Sequence, residues 1–182
     1  MLNLLSIGEN DGKTLSNVRA LMEAGWWGWL VEPDPLAYNR LHKLYEASDR
    51  AKLFNLAIGV RTKEETFYSS GTHLGLGDTG LLSTLDPAEM EKWKAAGTPF
   101  TETIVTVMTW EDFYKGEEFH LISIDAEGFD LKILKQIDFN VTKTKMVVVE
   151  WNGKDRHLYD AIMYKFNFNL INIDFENLIY AR

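Results

Sequence analysis

Apolar runs of strand length recur along this chain, and segments of helical spacing separate them. "LNLLSI" (2–7) and "FHLISID" (119–125) read as buried strands, "KMVVVEW" (145–151) as a central strand, and "GWLVE" (28–32) and "KLFNLAI" (52–58) as further strands. The first is followed by a helix expected to begin near Thr14 and to carry Leu15, Val18, Leu21 and Met22 on one face. The second leads into a helix with Asp34 as N-cap and Pro35 at its first position, turning Leu36, Leu41 and Leu44 inward. "ETFYSS" (65–70) reads as an edge strand and "ETIVTVM" (102–108) as a further strand. "DPAEMEKWKAAG" is a short helix capped by Asp86 and closed by Gly97, and "FDLKILKQI" is amphipathic. The tail, "FNLINID" then "NLIYAR", reads as a hairpin. Strand and helix in alternation with short connections require a mostly parallel sheet covered on both faces, here with one antiparallel strand added at the end. The fold class is therefore α/β. A single domain over 1–182 is expected, because no linker interrupts the chain.

Composition excludes several functions. A net charge of −8 argues against a nucleic-acid groove, since phosphate contacts need clustered Lys and Arg. No stretch is long and apolar enough for a bilayer, and no signal peptide is recognisable, so a cytoplasmic location without membrane partners is expected. The absence of Cys removes disulfides and thiolate metal sites. Oligomeric state leaves no mark in the pattern.

Two glycine-rich stretches compete for the role of ligand loop. "GLGDTG" (75–80) matches Gly-x-Gly-x-x-Gly, but it follows "SSGTHL" and leads into "LLSTLDP", with no helix until residue 87. A phosphate loop needs a strand before it and a helix N-terminus after it, so this match reads as a decoy. A loop or lid within residues 71–103 fits it better, and the His73 inside it reads as an idle surface residue. "LLSIGENDGKTLSN" (4–17) does have the required order, with Gly8 and Gly12 allowing a tight turn between strand and helix. Glu32 then ends the second strand, where a carboxylate can accept both hydroxyls of a ribose.

"SIGENDG", "GWLVEPDP", "NLAIG", "SIDAEGFDLKILKQID" and "VVVEW" occur in an order that resembles the FkbM-type methyltransferases over residues 4 to 180. The resemblance implies a Rossmann-like class I methyltransferase fold. Its mostly parallel seven-stranded sheet would end in a C-terminal antiparallel hairpin. It also implies S-adenosylmethionine as cofactor and a small-molecule or carbohydrate acceptor methylated on oxygen. Carried over residue by residue, it places Gly8, Asn10 and Gly12 along the methionine and ribose part of the cofactor. Glu32 falls on the ribose hydroxyls, Asn55 to Ala57 beside the adenine, and Asp125 at the reacting end. Ser6 departs from the pattern, since the family usually has an acid there, and the neighbouring Glu9 is the residue that can compensate.

The reaction is an in-line displacement at a sulfonium methyl carbon, so the chain must align an oxygen and take up its proton. Asp125 and Glu127, in "DAEG", stand at a strand's C-terminal end and are the candidate bases. Capping of the next helix by Glu127, or cofactor holding by Asp125, are the structural alternatives. No metal is called for, although a metal-assisted variant would use Asp125, Glu150 and Asn152. His42, His120 and His157 read as surface residues, and Trp26, Trp27 and Trp29 flank the second strand. A nicotinamide-dependent oxidoreductase is the competing enzyme class, yet "GENDG" lacks its middle glycine and has the wrong spacing. A non-catalytic cofactor-binding module is the third class. The first strand begins almost at residue 1, so residues 71–103 or a partner subunit are expected to close the substrate pocket.

Overall fold

A computed structural model describes residues 2–72 and 79–182, so His73 and most of "GLGDTG" lie outside the described residues. The chain runs β1 (Asn3–Ile7), α1 (Arg19–Glu23), β2 (Trp27–Val31), α2 (Pro35–Tyr45), β3 (Ala51–Phe54), β4 (Ala57–Ile58) and β5 (Lys63–Ser70). It continues through α3 (Pro87–Ala95), β6 (Phe100–Met108), α4 (Trp110–Phe113), β7 (Leu121–Ile124), α5 (Asp130–Leu134) and α6 (Phe139–Thr142). The last elements are β8 (Met146–Glu150), α7 (Arg156–Lys165), β9 (Asn169–Ile173) and β10 (Asn177–Ala181). The main sheet has seven strands in the order β3-β2-β1-β7-β8-β10-β9. Only β10 runs antiparallel to its neighbours, pairing Asn177 with Glu150 on one side and Leu178 with Ile173 on the other.

Residue alternation in the strands explains the two layers. Leu4 and Leu30 pack with Val18, Met22, Leu41 and Tyr45 on the face covered by α1 and α2. Leu5, Ile7 and Val31 point the other way, into the larger cluster with Ile122, Ile124, Val147, Val149 and the side chains of α5 and α7. β7 and the last four residues of β8 are buried throughout, as central parallel strands covered on both faces must be.

Three features differ from the reading of the sequence. "KLFNLAI" is split between sheets: β3 pairs with β2, whereas β4 joins β6 and β5 in a separate three-stranded sheet. The cause sits at Asn55, whose side-chain Nδ2 donates to the carbonyls of Glu32 and Pro33 and pins the chain between the two strands. The first helix starts at Arg19 and not near Thr14. Asp11 Oδ1 accepts from the backbone N–H groups of Lys13 and Thr14, and Ser16 Oγ accepts from that of Arg19, so side chains satisfy donors that a helix would have used. Leu15, left outside α1, is exposed at 68%, and Leu36 in the first turn of α2 is exposed at 61%, while Leu41 is fully buried.

Candidate active site

Hydrogen bonds continue past the strand ends and draw the loops after β1, β2 and β7 together. The N–H groups of Gly8 and Glu9 both donate to the Val31 carbonyl, at 2.9 and 3.1 Å, and the Asp125 N–H donates to the Ile7 carbonyl at 2.9 Å. Gly8 has φ +81°, and a Cβ added there would lie 1.7 Å from the Asp125 carbonyl oxygen. The close approach of the first loop to the "DAEG" loop therefore requires glycine. Gly12, with φ +72°, has a different function, since an added Cβ would meet Leu41 at 2.7 Å on α2.

These loops enclose a cavity of about 360 Å³ over the C-terminal ends of the parallel strands. Ser6, Gly8, Glu9, Asn10, Glu32, Ala57, Asp125 and Glu127 contribute to its wall, but Gly12 and Asn55 are not part of it. Leu56, Ile58, Phe67, Leu82 and Leu85 form an apolar side. From the stretch between β5 and β6, Gly80 to Ser83 and Trp93 also face the cavity, together with Phe175 and Glu176 from the β9–β10 turn.

Acids dominate its polar surface. Glu32 is buried, and its two carboxylate oxygens accept from the N–H groups of Asn10 at 2.8 Å and Asp34 at 2.7 Å. Burial pushes its carboxyl up to about 8, against the pull of those two backbone donors. Glu9 is likewise buried and is pushed up to about 7, although the Ser16 and Ser6 hydroxyls stabilise its charged form. The Ser16 hydroxyl donates to Glu9 Oε1 at 2.6 Å. Glu9 thus lies within reach of both the Ser6 and Ser16 hydroxyls.

A second acidic group lies at the tips of β7 and β8. Burial raises Asp125, with Asp130, Glu176 and Glu9 adding repulsion. Burial also raises Glu127 and Glu150 well above the usual carboxylate range, and Asp125 is the largest charge acting on each. Asp130 holds the loop between them by accepting from the N–H groups of Ala126, at 2.7 Å, and Gly128, at 3.1 Å. Glu127 sits in the left-handed region, at φ +42°, with its carbonyl fixed by the Thr84 hydroxyl at 2.7 Å. Neither it nor any other side chain caps α5, whose N-cap is Phe129, and Asp130 places an acid in the first turn of that helix. Asn152 is exposed and lines the cavity beside Glu150, whose charged form it favours slightly.

Sequence reasoning missed several residues here. Ser123 lines the cavity, 1% exposed, with its hydroxyl unpartnered, and it shares a strand face with Asp125 two positions on. That spacing was the available signal. Ser16 and Glu176, single polar residues in loops, carry none.

Residues 6–170 match the family model described as the methyltransferase FkbM domain. Among solved structures, the FkbM methyltransferase from Methylobacillus flagellatus KT is similar at a TM-score of 0.60 and 14% identity, covering 100% of this chain. This chain spans only 43% of that one, and the likeness at this identity concerns the fold. Weaker similarity reaches the N-terminal domain of human METTL16 in complex with SAH, at a TM-score of 0.47 and 13% identity, covering 100% of this chain and 61% of that one. A methyltransferase from Pyrococcus furiosus gives a TM-score of 0.44 and 13% identity, with 98% and 73% of the two chains covered. No curated protein matches. No described helix is long and apolar enough to cross a membrane.

Proposed function

The chain belongs to the FkbM methyltransferase family, and from that premise we propose that it moves the methyl group of S-adenosylmethionine to an oxygen of a small hydroxylated acceptor, such as a carbohydrate, as one domain. The observation that carries this reading is the cavity itself. Glu9, Glu32, Asp125, Glu127, Glu150 and Glu176 face it, and no Lys, Arg or His does among the described residues. Such a wall suits a ligand with a sulfonium and an ammonium group, and it opposes an anionic dinucleotide. When bound, S-adenosylmethionine supplies an activated methyl carbon.

The chain's own residues divide the remaining work. Glu32, held by the Asn10 and Asp34 N–H groups, keeps a second lone pair on each oxygen for the ribose hydroxyls. Glu9 receives the ammonium end, in place of the acid absent at Ser6. Ala57, with Leu56 and Ile58, forms the apolar wall for the adenine. Gly12 and Asn55 act behind the wall, Gly12 by admitting α2 and Asn55 by fixing the loop after Glu32.

Asp125 and Glu127 stand at the reacting end, and one of them takes the acceptor's proton. The O–H proton passes to that carboxylate, and the bound donor would supply the methyl carbon to the oxygen and retain the electron pair on its sulfur. Orientation of the oxygen behind the carbon can lower the barrier by roughly 7–11 kcal/mol. Transfer of labelled methyl from S-adenosylmethionine to a pool of small polyols and sugars, with RNA as the comparison, tests the acceptor class. Label appearing only in RNA would sink the small-acceptor reading.

A further inference from the structure

We propose that Asp125, Glu127 and Glu150 hold a hard divalent cation, of the Mg²⁺ or Mn²⁺ type, at the acceptor end of the cavity. The placement at the acceptor end rests on the proposed function; the site itself does not. One oxygen from each of these carboxylates lies within 4.8 Å of the other two. Asp125 and Glu150 come from adjacent parallel strands, one residue beyond the Ile124–Val149 pair, and Glu127 comes from the turn after β7, which the Thr84 hydroxyl and Asp130 hold in place. Oxygen ligands roughly 2.0–2.6 Å from an ion lie roughly 3–5 Å from one another, so the trio can close on a cation with side-chain adjustment alone.

Two independent observations point to a ligand. Glu150 is 6% exposed and its Oε2 has no hydrogen-bond partner, and the 1% exposed Ser123 hydroxyl has none either. Both side chains face the same cavity. Second, the charge is unbalanced: the wall has no basic side chain among the described residues, and the nearby Lys92 and Lys154 are engaged by Glu89, at 2.6 and 3.6 Å. A divalent ion can displace the protons that burial keeps on these carboxyls and bind all three through oxygen, which a single ammonium does not do as well.

The ligand set differs from the one the sequence suggests. Asn152 is exposed beside Glu150, and Glu127 provides the third carboxylate from its left-handed turn. Each ligand binding through one oxygen keeps the other free, so Asp125 and Glu127 remain able to accept a proton.

The test uses Mn²⁺ alone, titrated into the full chain and followed by loss of the free-ion EPR signal. One saturable site per chain, displaced by Mg²⁺, is expected. Glu150→Gln and Glu127→Gln should each weaken it on the order of tenfold or more, with the thermal midpoint retained. Absence of saturable binding, or binding that neither substitution changes, overturns the proposal. So does a site that takes an alkylammonium ion in a Glu150-dependent way and leaves Mn²⁺ free. Parallel titration with S-adenosylhomocysteine separates the two readings. If Mn²⁺ binds there and S-adenosylhomocysteine does not, the cation site is supported and the proposed function fails; the reverse result overturns the cation site alone.

Discussion

Glu32 ties two parts of the site together, because its two oxygens bind the loops after β1 and β2 at once. Glu32→Ala should therefore abolish binding of the methyl donor's product and also loosen the Asn10 loop, which calorimetry and thermal melting would detect together. Asp125 and Glu127 are held half-buried among like charges, with carboxyls that ionise late. If one of them is the base, turnover should rise with pH as it ionises. Asp125→Asn or Glu127→Gln should lower kcat on the order of a hundredfold with a smaller change in affinity. A kcat within a few-fold of the parent in both variants would remove the base from the account. The sequence carried much of this: Gly8, Glu9, Asn10, Glu32 and Asp125 all reach the cavity from positions legible as strand ends or their turns. It did not show that Asn55 turns its amide to the backbone, because a strand-end amide can face either way. Ser16 and Ser123 escaped because a lone serine has no pattern until its partners are placed.

At the scale of elements, the loop after β1 is held by side chains and not by a helix dipole. The five-residue α1 begins well past Gly12, since Asp11 and Ser16 occupy the backbone donors in between. The alternation of apolar residues made β1, β2, β7 and β8 readable, but helical spacing alone could not reveal these local competitors. The division of "KLFNLAI" was equally hidden, because Phe54 and Ala57 suit a strand in either sheet. Two substitutions test the element-scale account by denaturant unfolding. Gly8→Ala places a methyl group 1.7 Å from the Asp125 carbonyl in left-handed backbone, and it should cost about 3 kcal/mol or more. Asp34 accepts from the Leu36 and Ala37 N–H groups as the cap of α2, so Asp34→Ala should cost about 1 kcal/mol.

For the whole molecule, an acidic cavity makes stability depend on pH in an unusual direction. Glu9 is pushed from 4.5 up to about 7 and Glu32 from 4.5 up to about 8 by burial. Between about 4.5 and about 8 the folded chain thus holds more protons than the unfolded one, and stability must fall as pH rises through that window. The ligand-free thermal midpoint should drop on the order of 5 °C between mildly acidic and mildly alkaline buffer. Glu32→Gln should flatten that slope; an unchanged slope would remove Glu32 as its source. A cationic donor favours the ionised acids, so S-adenosylmethionine should release protons on binding near neutral pH, and more than its product, which lacks the sulfonium. The central claim is that this cavity is a methyl-donor site. Its most direct test is calorimetric titration with S-adenosylhomocysteine beside NADH, using Glu32→Ala as control. The account predicts micromolar binding of the first, loss of it in the variant, and no heat from NADH. Silence from S-adenosylhomocysteine in the folded chain, or equal binding by the variant, would contradict it.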